Sequence, residues 1–340
     1  MKIALDAMGG DEGPSVVVAG ARMACKTAES CGTSPVDLIL VGDETTLEKA
    51  MAESGGPHPS ICIVHAKAQI EMGESPLMVR QKKDASICVA TQLVKDKEAV
   101  AVISAGNSGA SMAAAFFILG RLPGIDRPAI ATPLPTLKGV SVLIDAGANV
   151  DCKPKHLVAF ALMGHVYAKD VLGIANPKVG LLNIGEEDSK GNELTKEAFL
   201  LLKNAPFNFI GNIEGKDIYA GTADVIVCDG FVGNVALKVS EGLADAIVQF
   251  LKMEIMASTL GKLGGLLLKP AFKRFKTKID YDEYGGAPLL GINGISIVSH
   301  GRSSPKAIKN AIRVAKESFE KGVNRHIQEE VSSSVFYKGL

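Results

Sequence analysis

No tryptophan occurs in the 340 residues, and aromatic side chains make up only 5%. So few ring faces leave little for the stacking platforms of a single-strand nucleic-acid binder. Net charge is absent too. The 37 Lys and Arg balance 37 Asp and Glu, which excludes a protein basic or acidic throughout and, with it, a nucleic-acid partner. The six cysteines (Cys25, Cys31, Cys62, Cys88, Cys152, Cys228) form no Cys-x-x-Cys pair and mostly sit in apolar runs, as buried thiols do. The histidines lack zinc-ligand spacing, and Asp6, Asp11, Asp145, Asp151 and Asp229 read more simply as loop caps than as Mg²⁺ ligands, so no metal is expected. No stretch approaches the ~18 apolar residues of a membrane span. Met1-Lys-Ile-Ala-Leu-Asp6 has no signal-peptide core, so the chain reads as cytoplasmic.

Standard fingerprints are missing as well. No Gly-x-Gly-x-x-Gly run occurs, which leaves a dinucleotide site without local support. Gly211-Asn-Ile-Glu-Gly-Lys-Asp217 is one residue short of a P-loop and ends in Asp. There is no Gly-x-Ser-x-Gly elbow, and no cysteine has an evident histidine partner, so covalent Ser or Cys catalysis is unsupported.

What the chain does contain is a repeated alternation. Short apolar runs (3–5, 38–41, 99–103, 140–144, 179–182, 225–227, 295–298) each close on a glycine-containing polar turn. Helical patterns lie between them, over roughly 14–29, 75–97, 107–120, 153–172, 190–204, 233–257 and 304–322. Continuous apolar strands alternating with helices predict an α/β protein, a mainly parallel sheet covered on both faces. Residues 1–340 read as one large domain, or as two lobes sharing that sheet. Ligands of open parallel sheets bind outside the carboxyl ends of the strands. Here those ends carry Asp6, Ser104, Asn107, Asp145, Asn149, Asn183, Glu186, Asp229 and His300, expected along one edge.

Individual loops suggest chemistry. Ser104-Ala-Gly106-Asn107-Ser108-Gly109 follows a strand and opens a helix, where glycines let the backbone approach an anion and Asn107 and Ser108 add donors. Lys190, expected in a helix's first turn, is unfavourable there unless an anion compensates it; a solvated lysine is the plain alternative. Asn234, where strand gives way to helix, would serve either as an oxyanion donor or as a simple N-cap.

Several stretches together resemble one family. They are Ile3–Asp11, Val102–Ala110, Leu143–Asn149, Gly185–Glu187, Lys190–Asn192, Cys228–Asn234, Tyr284–Gly291 and Ile297–Gly301. In this order they are similar to the bacterial acyl-carrier-protein:phosphate acyltransferases of phospholipid synthesis. The one departure is Ser108, where Thr is expected to be commoner; the hydroxyl is kept. The resemblance implies a three-layer α/β/α fold similar to phosphotransacetylases and isopropylmalate dehydrogenases, a homodimer, and no cofactor. It implies reversible transfer of a long-chain acyl group from acyl carrier protein to inorganic phosphate, the acyl phosphate then serving a membrane glycerol-3-phosphate acyltransferase. On this reading Asp6, Gly9, Gly10, Asp11, Ser104, Gly106, Asn107, Ser108, Gly109, Asp145 and Asn149 shape the phosphate site. Lys190 offsets phosphate charge, Asn234 donates to the thioester oxygen, and His300 is a candidate acid. A phosphotransacetylase acting on acyl-CoA, a nicotinamide-dependent dehydrogenase of the same fold, and a non-catalytic scaffold binding carrier protein or membrane are the rival readings.

One segment breaks the even charge. Residues 252–278 hold seven basic residues and one acid, so the neutral total conceals a local +6 and a remainder of −6. Leu268, Phe272, Phe275 and Ile279 fall within an arc of about 60° on a helical wheel. Lys269, Lys273 and Lys276 flank the arc on one side, and Arg274 and Lys278 on the other. The pattern suits an interfacial helix on an anionic membrane, with Lys262 and Leu266–Leu268 near the tip. Docking of acidic acyl carrier protein and packing on the body or across a dimer remain the alternatives. A protruding helical hairpin over 243–281 is expected, loosened at its tip by Gly261, Gly264 and Gly265, on a protein peripheral to the inner face of the membrane.

Overall fold

A computed structural model describes residues 1–31, 36–334 and 337; Cys31, Lys276, Ile279 and Tyr281 are described by backbone alone. The apolar runs become strands β1 (Lys2–Asp6), β2 (Asp37–Gly42), β3 (Ile61–His65), β4 (Ala101–Ser104), β5 (Ala129–Thr136), β6 (Gly139–Ile144), β7 (Val179–Leu182), β8 (Phe209–Ile213), β9 (Val225–Val227), β10 (Ala287–Leu290) and β11 (Ile295–Val298). The helices are α1 (Pro14–Cys31), α2 (Glu44–Glu53), α3 (Ser86–Lys95), α4 (Ser108–Ala114), α5 (Pro154–Asp170), α6 (Glu193–Leu202), α7 (Gly230–Met256), α8 (Thr259–Ile279), α9 (Pro305–Glu320) and α10 (Val323–Ser333). β4, β7 and β9 are buried along their whole length because helices cover both faces of the sheet, which is why their runs are continuously apolar.

Among the described residues the strands form one eleven-stranded sheet, in the order β3-β2-β1-β4-β11-β10-β5-β6-β9-β7-β8. Neighbours are parallel except at β11/β10, β10/β5 and β5/β6. Three consecutive reversals leave the block containing β1 and β4 antiparallel to the block containing β6, β9 and β7. The carboxyl ends expected along one edge therefore lie on two opposite edges.

β3, β5, β8 and β10 are absent from the seven runs read in the sequence. β5 is hidden by Pro133 and Pro135. Ile130 turns its carbonyl toward β6. By alternation the prolines face away from β6, and β10 covers only Ala129 and Ile130 there. A proline is tolerated where no ladder partner waits for its missing N–H.

The helix expected over 75–97 is divided. Ser75 caps and Pro76 opens only a 3₁₀ turn, Pro76–Arg80. The chain then returns to pair Ala85 with Ala68, and α3 begins at Ser86, whose N–H donates to Ala68 O at 2.9 Å.

α7 and α8 pack on each other and turn at Ala257–Ser258, where Ser258 Oγ accepts the N–H of Gly261. Gly261, Gly264 and Gly265 lie just past this turn, in the first two turns of α8. A Cβ at Gly261 would lie 2.5 Å from the Ile255 carbonyl, and one at Gly265 2.6 Å from Ile255 Cγ2. Gly261 and Gly265 let α8 approach α7, whereas Gly264 faces open space.

Candidate functional site

On the first edge, the loops after β1, β4 and β11 meet. A Cβ at Gly9 would stand 2.7 Å from Cα and N of Gly106, so the first two loops touch backbone to backbone. Asp11 N–H donates to Gly301 O at 2.8 Å, which joins the third. Gly10 has φ +101°, a conformation that favours glycine. Beneath this junction Ser104 Oγ donates to Asp6 Oδ2 at 2.7 Å and accepts the N–H of Gly106 at 3.1 Å. Asp6 and Ser104 are 4% and 2% exposed. They hold the loops from beneath, and Asp6 Oδ1 is buried without a hydrogen-bond partner among the described residues. Burial pushes the Asp6 carboxyl above its ordinary range, against the pull of the nearby Ser86 and Ser104 hydroxyls and the amides of Met8 and Gly9.

Asn107 is also committed elsewhere. Its Oδ1 caps α4 by accepting the N–H of Ala110, and its Nδ2 donates to the carbonyls of Glu71, Met72 and Glu74 at 3.1, 3.2 and 2.9 Å. Its side-chain amide thus clamps the 71–74 segment over the edge. Ser108 is exposed, and Gly109 abuts Pro76, 2.5 Å from a would-be Cβ. His300 is exposed on the third loop; its Nδ1 accepts the N–H of Arg302 at 3.2 Å, so a neutral ring carries its proton on Nε2.

On the opposite edge, Asp145 organises the loop after β6. Oδ1 accepts the N–H groups of Ile130, Gly147 and Ala148, and Oδ2 accepts the backbone and side-chain N–H of Asn149. Asn149 Nδ2 also donates to Pro128 O at 2.7 Å. Both side chains are buried and hydrogen-bonded within the protein, which gives them a structural role in this loop. Burial is the largest influence on Asp145 and pushes its carboxyl up, opposed by these donors.

The N-cap of α7 is Asp229, whose Oδ1 accepts the N–H of Val232. Asn234 instead lies in the second turn, exposed, with Nδ2 donating to Ala146 O at 3.3 Å. Lys190 precedes α6 rather than occupying its first turn, because Asn192 is the cap. Its stem lies over Gly185, and its ammonium has no hydrogen bond or ion pair among the described residues. The fold thus brings Asn234 and Lys190 to the loops of adjacent β9 and β7, and His300 with Gly9, Gly10, Asp11, Gly106 and Ser108 to the other edge.

Two supports have no signature in the sequence. Asn212 Nδ2 donates to Glu187 O, and Lys216 pairs with Glu186 and Glu214 at 3.2 and 2.6 Å, tying the Lys190 loop to β8. Nothing local marks them, since β8 is not among the continuous apolar runs.

Burial pushes the Cys88 and Cys152 thiols up to about 11 and about 12, which leaves them poor nucleophiles. Among the described residues no three His, Cys, Asp or Glu side chains are grouped to hold a metal ion, and no helix is long and apolar enough to cross a membrane.

Residues 1–326 match the sequence profile of the fatty acid synthesis protein family. A phosphate acyltransferase of Pelotomaculum thermopropionicum is 55% identical over 336 residues, spanning 98% of this chain and 96% of that protein. One of Geobacter sulfurreducens is 53% identical over 334 residues, spanning 98% and 95%. A phosphotransacetylase from Streptococcus pyogenes shares the fold with a TM-score of 0.61 over 94% of both chains at 20% identity. The EutD phosphotransacetylase of Staphylococcus aureus does so at 0.59, 17% identical over 94% of both chains.

Proposed function

Because the chain belongs to the fatty acid synthesis protein family and is an acyltransferase, we propose that it transfers a long-chain acyl group from acyl carrier protein to inorganic phosphate. The observation that carries this reading is the identity above 50% with phosphate acyltransferases across 98% of the chain. The chemistry suits the side chains. Phosphate is itself the nucleophile, so no activated serine or cysteine is needed. A phosphate oxygen bonds to the acyl carbon, the C–S bond breaks, and the proton of hydrogenphosphate ends on the carrier thiol. With a leaving-group pKa of about 8.5, positioning and oxyanion stabilisation carry most of the catalysis.

In this reading the contacting loops Gly9–Asp11 and Gly106–Gly109 cradle the phosphate, and His300 is the candidate acid, relaying the hydrogenphosphate proton to the departing sulfur. Lys190 offsets phosphate charge and Asn234 donates to the thioester oxygen. These two sit on the opposite edge, which favours a functional homodimer in which loops of both copies are available. The exposed apolar residues of α7, among them Val239, Leu243, Ile247 and Phe250, provide a surface for that second copy. At the tip, Leu266 and Leu267 are 66% and 75% exposed beside Lys262 and Lys269. With Leu268, Lys273, Arg274 and Phe275 they suit an anionic membrane surface, where a glycerol-3-phosphate acyltransferase would consume the product. Phe272 is half-buried, and the side chains of Ile279 and Lys276 lie outside the described residues.

The test offers palmitoyl-carrier-protein and palmitoyl-CoA side by side with phosphate and measures acyl phosphate. Turnover of the carrier-protein thioester at the higher kcat/KM is expected. Preference for CoA would move the protein to a phosphotransacetylase-like activity, and no acyl phosphate from either would overturn the reading.

A further inference from the structure

The first edge carries an apolar strip that no step above uses. Met72, Leu77 and Phe117 are 47%, 56% and 42% exposed. Met72 reaches the three-loop junction: its Cε lies 2.9 Å from where a Cβ of Gly301 would be, beside Asp11 Oδ2 at 3.0 Å from the same point. Leu77 follows Pro76, which abuts Gly109. In a 3₁₀ turn residues three apart eclipse, so Leu77 and Arg80 share a face. The Arg80 guanidinium lies 4.3 Å from the centre of the Phe117 ring, which sets Phe117, on the π-helical turn Ala115–Leu119, beside the face that Leu77 and Arg80 share.

These side chains are exposed but firmly carried. Asn107 holds three carbonyls of the segment, and Lys82 Nζ bonds both oxygens of Glu74 at 2.8 Å and Gln69 O at 3.2 Å. An apolar surface presented on a fixed backbone loses little ordering entropy when an apolar ligand lies on it. It starts at the junction where the phosphate would sit, so it is continuous with the proposed site.

Resting on the acyltransferase reading, we propose that the fatty acyl chain of the thioester lies along Met72, Leu77 and Phe117, and that these residues set the preference for long chains. The acyl carbon would be held at the loop junction and the methyl end toward Phe117.

The test compares palmitoyl and acetyl thioesters on the wild type and on Leu77→Ser and Met72→Ser, both surface changes that leave the core intact. KM for the palmitoyl substrate is expected to rise about tenfold, the order for losing one apolar contact, with acetyl kinetics unchanged within about twofold. Equal effects on both chain lengths, or none on either, would overturn the proposal. Binding of a fluorescent long-chain fatty acid separates this failure from that of the reaction itself. About tenfold weaker binding by Leu77→Ser supports the strip even if no acyl phosphate forms. Undiminished binding sinks it whatever the activity, the strip then being a protein-docking surface.

Discussion

The hydroxyl of Ser104 donates to Oδ2 of Asp6 at 2.7 Å, joining the ends of two adjacent parallel strands 98 residues apart in sequence. The same hydroxyl accepts the N–H of Gly106, so one buried pair holds the loop that touches Gly9. Ser104→Ala leaves a buried carboxylate oxygen and a buried amide without this partner. A loss of about 1–3 kcal/mol in urea unfolding is expected.

Asp6 makes stability depend on pH in a defined direction. Burial raises its folded pKa above the unfolded value. Between those two values the native state holds more protons than the unfolded one, so this contribution is complete below the unfolded pKa and lost as pH rises through the folded pKa. Asp6→Asn should flatten that part of the profile. Because Asn resembles the protonated carboxyl, unfolding free energies of wild type and variant, measured from about pH 4 to about pH 8, should diverge as pH rises, the wild type losing stability that the variant keeps; parallel curves would refute the assignment.

Asp145 should be less replaceable than an ordinary loop acid. Asp145→Ala strands four backbone amides, those of Ile130, Gly147, Ala148 and Asn149, and is expected to cost roughly 3–5 kcal/mol by chemical denaturation. Gly233→Ala tests the same junction from α7, because a Cβ there would overlap the Asp145 carbonyl oxygen. Gly264→Ala, with open space around its Cβ, should instead gain about 0.5–1 kcal/mol.

Lys190→Ala should raise KM for phosphate with little effect on stability, since its ammonium has no hydrogen bond or ion pair among the described residues. Asn234→Ala should lower kcat by about 10²–10³, the magnitude of a lost oxyanion donor. Folded variants with near-native turnover would remove both residues from the mechanism.

Cosedimentation with vesicles checks the hairpin tip. Binding should increase with anionic lipid and be lost in the Leu266→Asp plus Leu267→Asp variant. Binding indifferent to both would assign the tip to a protein partner.

The sequence by itself determined what depends on neighbours in the chain. Asn107 and Asp229 sit at strand-to-helix turns whose short oxygen-bearing side chains cap the next helix within three residues, and Ser75-Pro76 opens a turn for the same local reason. The mainly parallel sheet followed from continuous apolar runs. Only the tertiary structure decided which loops meet. The three antiparallel pairings that turn one block of strands against the other involve residues 129–144 and 287–298, far apart in the chain, and one of the strands is masked by two prolines. Whether Asp145 faces a ligand or five N–H donors depends on Ile130 and Asn149 arriving together, and whether Asn107 has a free amide depends on the 71–74 segment crossing it. Such contacts leave no periodic trace, because their partners are brought together only when the sheet closes.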